Sequence, residues 1–403
     1  MILVFDIGKT NKKAFIFDEN YSIVWERSEV LPETTDEDGF PCEHIHLLRD
    51  WVLNTRAEAT AAYRDTLRAV HVSAYGASLV HLDGAGQPLT PLYNYLKPYP
   101  ASLTDPLFEA WGGAAALARE TASPVLGMLN SGLQLYGIRQ RQPEIFARIR
   151  YSLHLPQYIS YLLGSPVGAD ITSIGCHTML WDFRRQAYHP WVQASGLIHK
   201  FPPIQQGIGL HDSSAALIPY LLTVETPFLL ISTGTWCISL NPFNQAPLTD
   251  AELAEDCLCY LSFEGKPVKA ARYFGGHEHE EMVRRLAAAF GVSPDFYTLP
   301  DLALRHPGLE QQYAQEMQGI VQRQALSVRL ALGQSPVQRI LVDGGFAANP
   351  WYMRYLAAAF PTFEVHAAVV AQASALGAAL AIHPVWNPKS IPADLLSLYP
   401  YST

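Results

Sequence analysis

The feature that most restricts the fold is a repeated hairpin. Residues 2–20, ILVFDIGKTNKKAFIFDEN, read as strand ILVFD, tight turn IGKTN and strand KKAFIFD, closed by Asp18-Glu19-Asn20. Apolar positions carry the strands, and Gly, Asn and Asp punctuate them. Residues 226–243, TPFLLISTGTWCISLNPF, follow the same plan: strand FLLIS, turn TGT, strand WCISLN. Both set a glycine flanked by hydroxyl side chains between two hydrophobic strands. A unit recurring roughly half a chain later predicts two related domains. The length of 403 residues agrees with two or three domains rather than one.

Gly8-Lys9-Thr10, inside the first turn, has the look of a P-loop ending. That motif needs G-x-x-x-x-G-K-[ST] between a strand and a helix. Its first glycine would fall on Leu3, and a strand follows Thr10. The P-loop is rejected, but such a turn still offers backbone N–H groups to an anion.

Apolar residues make up 49% and charged ones 16%, enough core to exclude global disorder. A net charge of −9 without a Lys/Arg-rich run argues against nucleic acid and acidic membrane surfaces as partners. No window approaches the roughly 18 apolar residues that span a bilayer. Cys42, Cys176, Cys237, Cys257 and Cys259 are scattered, without a C-x-x-C, and the sequence opens on a strand. The expectation is a reduced, cytoplasmic protein whose cysteines are small buried hydrophobes.

Between the hairpins, a helical stretch at 46–67 leads to a strand-like run at 69–83, and residues 113–163 read as mostly helical. Tyr151, Tyr158 and Tyr161 are expected to pack on helix faces. A Pro/Gly-rich entry at 202 gives way to a helix starting near His211-Asp212-Ser213-Ser214, an N-cap cluster. Further helices are expected at 277–291 and 310–333, a strand at 339–343, and a small-residue helix at 371–384 suited to close packing. The division expected is 1–222 and 223–403. GGHEHEEMVRR at 275–285 lacks H-E-x-x-H because position 281 is Glu. His277 and His279 would point about 200° apart on a helix, so a polar helix start is the expectation.

Four motifs occur in order: FDIGKTNKK, GLHDSSAAL, ISTGTW, and LVDGGFAANP followed by ASALGAA. Each is weak alone. Together, from residue 2 to about residue 384, they resemble the FGGY carbohydrate kinases of the actin-like ATPase superfamily. The resemblance implies an α/β protein of two actin-like (ribonuclease H-like) domains with a nucleotide cleft between them. It also implies ATP-dependent phosphorylation of a small sugar, with ATP and Mg²⁺ as cofactors. Asp6 would hold Mg²⁺ through water, helped by Asp212, while Gly8, Thr10 and Asn11 face the transferred phosphoryl group. Thr233, Gly234 and Thr235 would approach the β- and γ-phosphates. Gly344 and Gly345 would let the backbone near the nucleotide, with Asn349 by the base or ribose. Asp212 stands where the family keeps its catalytic base. Such a site suits phosphoryl transfer, which needs alignment, neutralised charge and one proton accepted.

On the sugar side, the rhamnulokinase-like members carry aromatic-Gly-x-Asp where this chain has Tyr75-Gly76-Ala77-Ser78. A hydroxyl thus replaces the acid. Tyr75 would stack on a sugar face while Ser78 or His81 bonds hydroxyls, and His177 and Trp181 are further candidates. Lys9 stands where the family has a hydroxyl residue, either contacting phosphate or pointing to solvent. His211 replaces the usual glycine before the base; tuning Asp212, contacting sugar and mere packing are all open. The partner expected is a small-molecule sugar, a homodimer is left open, and the rival reading is an ATP-binding regulatory or assembly protein without kinase activity.

Overall fold

A computed structural model describes residues 1–299 and 302–401. The first sheet is centred on Ile2–Ile7, which runs antiparallel to Lys12–Phe17 and parallel to Ala69–Ala74. Ile23–Glu29 extends the hairpin side, and Leu210–His211 lies parallel beyond Ala69–Ala74. The second sheet repeats this centre. Phe228–Thr233 runs antiparallel to Cys237–Asn241 and parallel to Arg339–Gly344. Glu364–Val369 and Ser397–Tyr401 continue one edge, Pro267–Tyr273 and Cys257–Leu261 the other. The repeat seen in the sequence is therefore a repeat of strand order and direction. The central strands are apolar on both faces, and Ile2, Leu3, Val4 and Phe5 are all 0% exposed, as expected for strands covered on both sides.

The halves interlock through two helices, Asp212–Thr223 and Ala373–Ala381. A Cβ on Gly377 would lie 1.8 Å from the Ala215 carbonyl oxygen, so only glycine permits this crossing. Ala375, Leu376, Ala378 and Ala379 join Ile2, Val4, Phe15, Phe17 and Ile218 in one core. A late segment of the chain thereby completes the core of the first sheet. Across the same junction the Tyr220 hydroxyl donates to Asp343 Oδ2 at 2.9 Å and Ser214 Oγ to the Leu261 carbonyl at 2.9 Å.

Helices Gly275–Phe290 and Pro307–Leu332, strand Arg339–Gly344 and helix Ala373–Ala381 stand where the periodicity placed them. Residues 113–163 are mostly helical but depart at 121–126, which hold no helix, and again further on. Tyr151–His154 is a strand pairing antiparallel with Leu79–Leu82, so Tyr151 packs from a strand while Tyr158 and Tyr161 sit on helix Leu155–Leu162. The long-range pairing overrides a local helical pattern. All five cysteines are free and buried. Among the described residues, no helix is long and apolar enough to cross a membrane.

Candidate active site

Open sheets with parallel strands bind ligands beyond the strands' carboxyl ends. Here Asp6 pairs in register with Ser73, and Ser73 with Leu210. Two residues after Leu210, Asp212 opens its helix, so both acids reach the same end of the sheet. Burial, then the charge of Asp212, pushes the Asp6 carboxyl up to about 7, while partial desolvation pushes Asp212 up to about 6.

Asp212 is not a helix cap, contrary to the N-cap expectation. The capping position belongs to His211, whose side chain makes no capping bond. One residue further in, Asp212 Oδ1 accepts from Ser213 N at 2.6 Å and Ser213 Oγ at 3.4 Å, with His211 Nε2 3.5 Å away. Its side chain stays 36% exposed, which leaves the carboxylate available to a ligand.

The opening hairpin turns through Gly8, whose N–H donates to the Asn11 carbonyl at 2.9 Å, leaving Thr10 and Asn11 exposed at the tip. Lys12 braces the turn from beneath: its ammonium donates to the Gly8 and Lys9 carbonyls at 3.0 and 2.9 Å and pairs with Glu43 at 2.8 Å. Glu43 in turn accepts from the Tyr75 hydroxyl at 3.1 Å. Lys9 pairs with Glu33 at 2.9 Å. Lys12 and Glu43 escaped the sequence reading because a lysine in an alternating strand looks solvent-facing, and nothing in Glu43's neighbourhood marks it.

On the sugar side, buried Tyr75 meets Tyr95 edge-on, with ring centroids 6.1 Å apart. Burial and the charge of Asp212 both raise the Tyr95 phenol, and the sequence reading missed Tyr95. Gly76 lets the His211 ring in: a Cβ there would sit 2.5 Å from that ring. Ser78 is buried close by in sequence, and His81 is fully buried with Nδ1 2.9 Å from Ser152 Oγ. His177 bonds the Leu129 carbonyl through Nδ1 at 3.2 Å and meets His211 edge-on. Burial pushes His177 down to about 3 and His211 to about 4, so both rings are neutral. His211 thus links His177, by that ring contact, to Asp212, whose Oδ1 lies 3.5 Å from His211 Nε2. Trp181 belongs instead to the outer hairpin, packed edge-on to Tyr188 at 6.0 Å.

In the second sheet the Thr233 hydroxyl is committed, donating to the Asp343 carbonyl and accepting from Phe346 N at 3.0 Å. Gly234 and Thr235 remain exposed. The start of helix Gly275–Phe290 presses on this turn; a Cβ on Gly276 would be 1.8 Å from the Gly234 oxygen, and His277 N donates to the Thr235 carbonyl at 3.2 Å. His277 then stacks on Phe274, whereas His279 is buried against the Tyr313 hydroxyl at 3.0 Å. Gly344 has φ +78°, and a Cβ on it would be 1.9 Å from the Thr233 oxygen. A cavity of about 310 Å³ lies over Thr233, Gly234, Thr235, Gly276 and Gly345. At Tyr297, Gly345 and Asn349 it adjoins a second, of about 600 Å³, lined further by Pro350, Trp351 and Arg354. Asn349 forms the wall between them, but its side chain is engaged, accepting from Trp351 N and Tyr352 N and donating to the Tyr313 hydroxyl at 2.7 Å.

Residues 1–207 match the model of the FGGY family of carbohydrate kinases, N-terminal domain, and residues 225–304 that of the carbohydrate kinase FGGY, C-terminal domain. The chain belongs to the FGGY carbohydrate kinases. Among curated proteins its sequence finds no match. Among solved structures it is similar to a carbohydrate kinase from Novosphingobium aromaticivorans, with 22% identity, 99% of this chain and 96% of that chain covered, and a TM-score of 0.81. A ligand-bound xylulose kinase from Lactobacillus acidophilus gives 15% identity, 100% and 94% coverage, and a TM-score of 0.81. A gluconate kinase from the same organism gives 15%, 100%, 93% and 0.81. These likenesses are of fold: two actin-like, ribonuclease H-like domains. This FGGY kinase is an enzyme that phosphorylates a carbohydrate with ATP as donor. The adjoining cavities fit such a donor. Their smaller end is bounded by turn backbone at Gly234, Thr235 and Gly345, and their larger end by Tyr297 and Trp351. The two acids fit a divalent cation, since they are oxygen donors brought to the same end of one sheet.

Proposed function

We propose that this FGGY kinase phosphorylates a small ketose or deoxyketose of the rhamnulose, fuculose or xylulose kind, with Asp212 as general base. The observation that carries the reading is the position of Asp6 and Asp212, two coupled acids at the carboxyl ends of parallel strands. Asp212 takes the proton of the sugar hydroxyl as its oxygen bonds to phosphorus; the bridging P–O bond of the donor breaks and ADP leaves. Asp6, with Asp212, would hold Mg²⁺. When bound, ATP and Mg²⁺ supply the phosphoryl group and the charge neutralisation that lets it move. The exposed tip residues Thr10 and Asn11, on the turn that Gly8 shapes, and the exposed turn at Gly234 and Thr235 would orient it. Thr233 acts from behind, by tying that turn to Asp343 and Phe346.

Tyr75, Tyr95, Ser78 and His177 form the proposed sugar wall. The Tyr75-Gly76-Ala77-Ser78 turn is the basis for a rhamnulokinase-like preference, and Ser78 in place of the acid points to an uncharged contact with a sugar hydroxyl. The ligand-bound xylulose kinase of like fold supports a ketose. The domain division at 222/223 is part of this reading, since it falls between the Leu210–His211 and Phe228–Thr233 strands of the two sheets. The test is sugar-dependent ADP formation across rhamnulose, fuculose, xylulose, ribulose, gluconate and glycerol. Asp212→Asn should lower kcat by about 10²–10⁴-fold. Full turnover in that variant would remove Asp212 from the role, and ATP binding without turnover on any sugar would favour a regulatory protein.

A further inference from the structure

Behind Asp212, Cys176, His177 and His211 each bring a ligand atom to within 4.8 Å of the others, and all three are buried. His211 Nε2 is 3.2 Å from Cys176 Sγ. Donors around tetrahedral zinc stand about 3.5 Å apart, given bonds of about 2.3 Å to sulfur and about 2.0–2.1 Å to nitrogen. Small rotations would therefore close the set. His177 Nδ1 is spent on the Leu129 carbonyl, which fixes the ring and leaves Nε2 as ligand, the usual arrangement of a metal-bound imidazole. His177 also holds φ +41°, uncommon for a residue with a side chain and frequent at functional sites. His211 Nδ1 has no hydrogen-bond partner among the described residues, so packing and the contacts of Nε2 with Cys176 and Asp212 hold that ring. A Cβ at residue 76 would lie 2.5 Å from His211 Nε2, and only glycine leaves that nitrogen its space. The other compact group, Glu120, Asp182 and His189, already has its acids paired with Arg184 and Arg185.

We propose that Cys176, His177 and His211 form a site for one zinc-class divalent cation, and that filling it lowers kinase activity. One thiolate and two neutral imidazoles suit zinc or cobalt, whereas Mg²⁺ selects the oxygen donors of Asp6 and Asp212. On binding, the Cys176 S–H proton leaves to solvent and a metal–sulfur bond forms; no electrons move. Asp212 marks the entry, being 36% exposed, and its Oδ1 lies 3.5 Å from His211 Nε2, within reach of the fourth position. A cation held there would draw on the same carboxylate that the sugar proton needs. The activity effect rests on Asp212 being the base, but the binding does not.

The test titrates the metal-free full chain with Co²⁺, reading the thiolate-to-cobalt absorption band and proton release, followed by displacement with Zn²⁺. One cation and one proton per chain are expected, with the band lost in Cys176→Ser and kept in a Cys257→Ser/Cys259→Ser control. Absence of a band, or its survival in Cys176→Ser, overturns the site. Should Cys176→Ser melt far below wild type, His177→Gln reads the same question. It should weaken Co²⁺ binding by more than the roughly 10–100-fold that losing an outer-shell partner costs, and unchanged affinity overturns the site. One equivalent of Zn²⁺ should lower sugar phosphorylation in wild type and spare Cys176→Ser, and equal inhibition of both overturns the coupling. A protein inactive on every sugar would still report binding by absorption.

Discussion

Lys12 and Glu43 form an ion pair 2.8 Å long with side chains only 1% and 5% exposed. It joins the two proposed halves of the site, since Lys12 holds the Gly8 and Lys9 carbonyls of the hairpin turn while Glu43 holds the Tyr75 hydroxyl of the proposed sugar wall. Removing one member of a buried pair strands the other charge and costs about 3–5 kcal/mol. Glu43→Gln and Lys12→Met should each lose that much by urea denaturation. The double substitution Lys12→Met/Glu43→Leu should lose less than the sum. Singles within ~0.5 kcal/mol of wild type would mean that the pair is not structural.

Gly377→Ala tests the crossing that carries Asp212, the proposed base. The added methyl meets the Ala215 oxygen at 1.8 Å, so helix Asp212–Thr223 must shift. A loss of about 1–3 kcal/mol is expected, together with a fall in kcat. Gly84→Ala meets nothing within 4 Å and should leave both unchanged. Normal kcat in a destabilised Gly377→Ala would separate the helix position from the chemistry.

Gly344→Ala attacks the nucleotide side. Its φ of +78° and the 1.9 Å approach to the Thr233 oxygen make a Cβ doubly unfavourable, at about 1–2 kcal/mol for the backbone alone. The KM for ATP should rise about tenfold or more, since every ~1.4 kcal/mol is tenfold, with the KM for sugar little moved. A raised sugar KM with an unchanged ATP KM would overturn the assignment of that wall.

Stability should fall steeply in mild acid. Burial lowers His71, His211 and His279 to about 4 and His81, His154 and His177 to about 3. Between these values and about 6.5 the unfolded chain binds protons that the folded chain refuses, so stability drops as pH falls through this window. Burial raises Asp6, Asp170 and Asp212 to about 7, 6 and 6, which acts oppositely, favouring the fold as pH falls from those values towards about 4. The histidines outnumber these acids, so the net slope is a loss on acidification, of several times ~1.4 kcal/mol per pH unit. Thermal melts from pH 7 to pH 4.5 should show it, and a flat Tm would contradict the buried neutral histidines.

Much of the frame was legible in the linear pattern. Alternating apolar runs around Gly8 and Gly234 specified two hairpins, and their repetition specified two related sheets, because strand period and turn chemistry are local properties. The place of Asp212 at a helix start was also readable. Whether it caps that helix was not, since a capping acid and an available one differ by a single residue of offset, and its base role came only from the family resemblance.

The remainder was decided by distances that no local pattern encodes. Lys12 is buried because Glu43, from a separate element, is there to neutralise it, and Trp181 meets Tyr188 because their two short strands pair. Sequence by itself determined the repeat, the carboxylates and the glycine turns, through backbone sterics and side-chain periodicity. Tertiary structure alone decided which charges meet: Asp6 with Asp212, Lys12 with Glu43, and Cys176 with the two histidines. Those pairings depend on burial and on contacts far apart in the chain, where the cost of an unpartnered charge selects the neighbour.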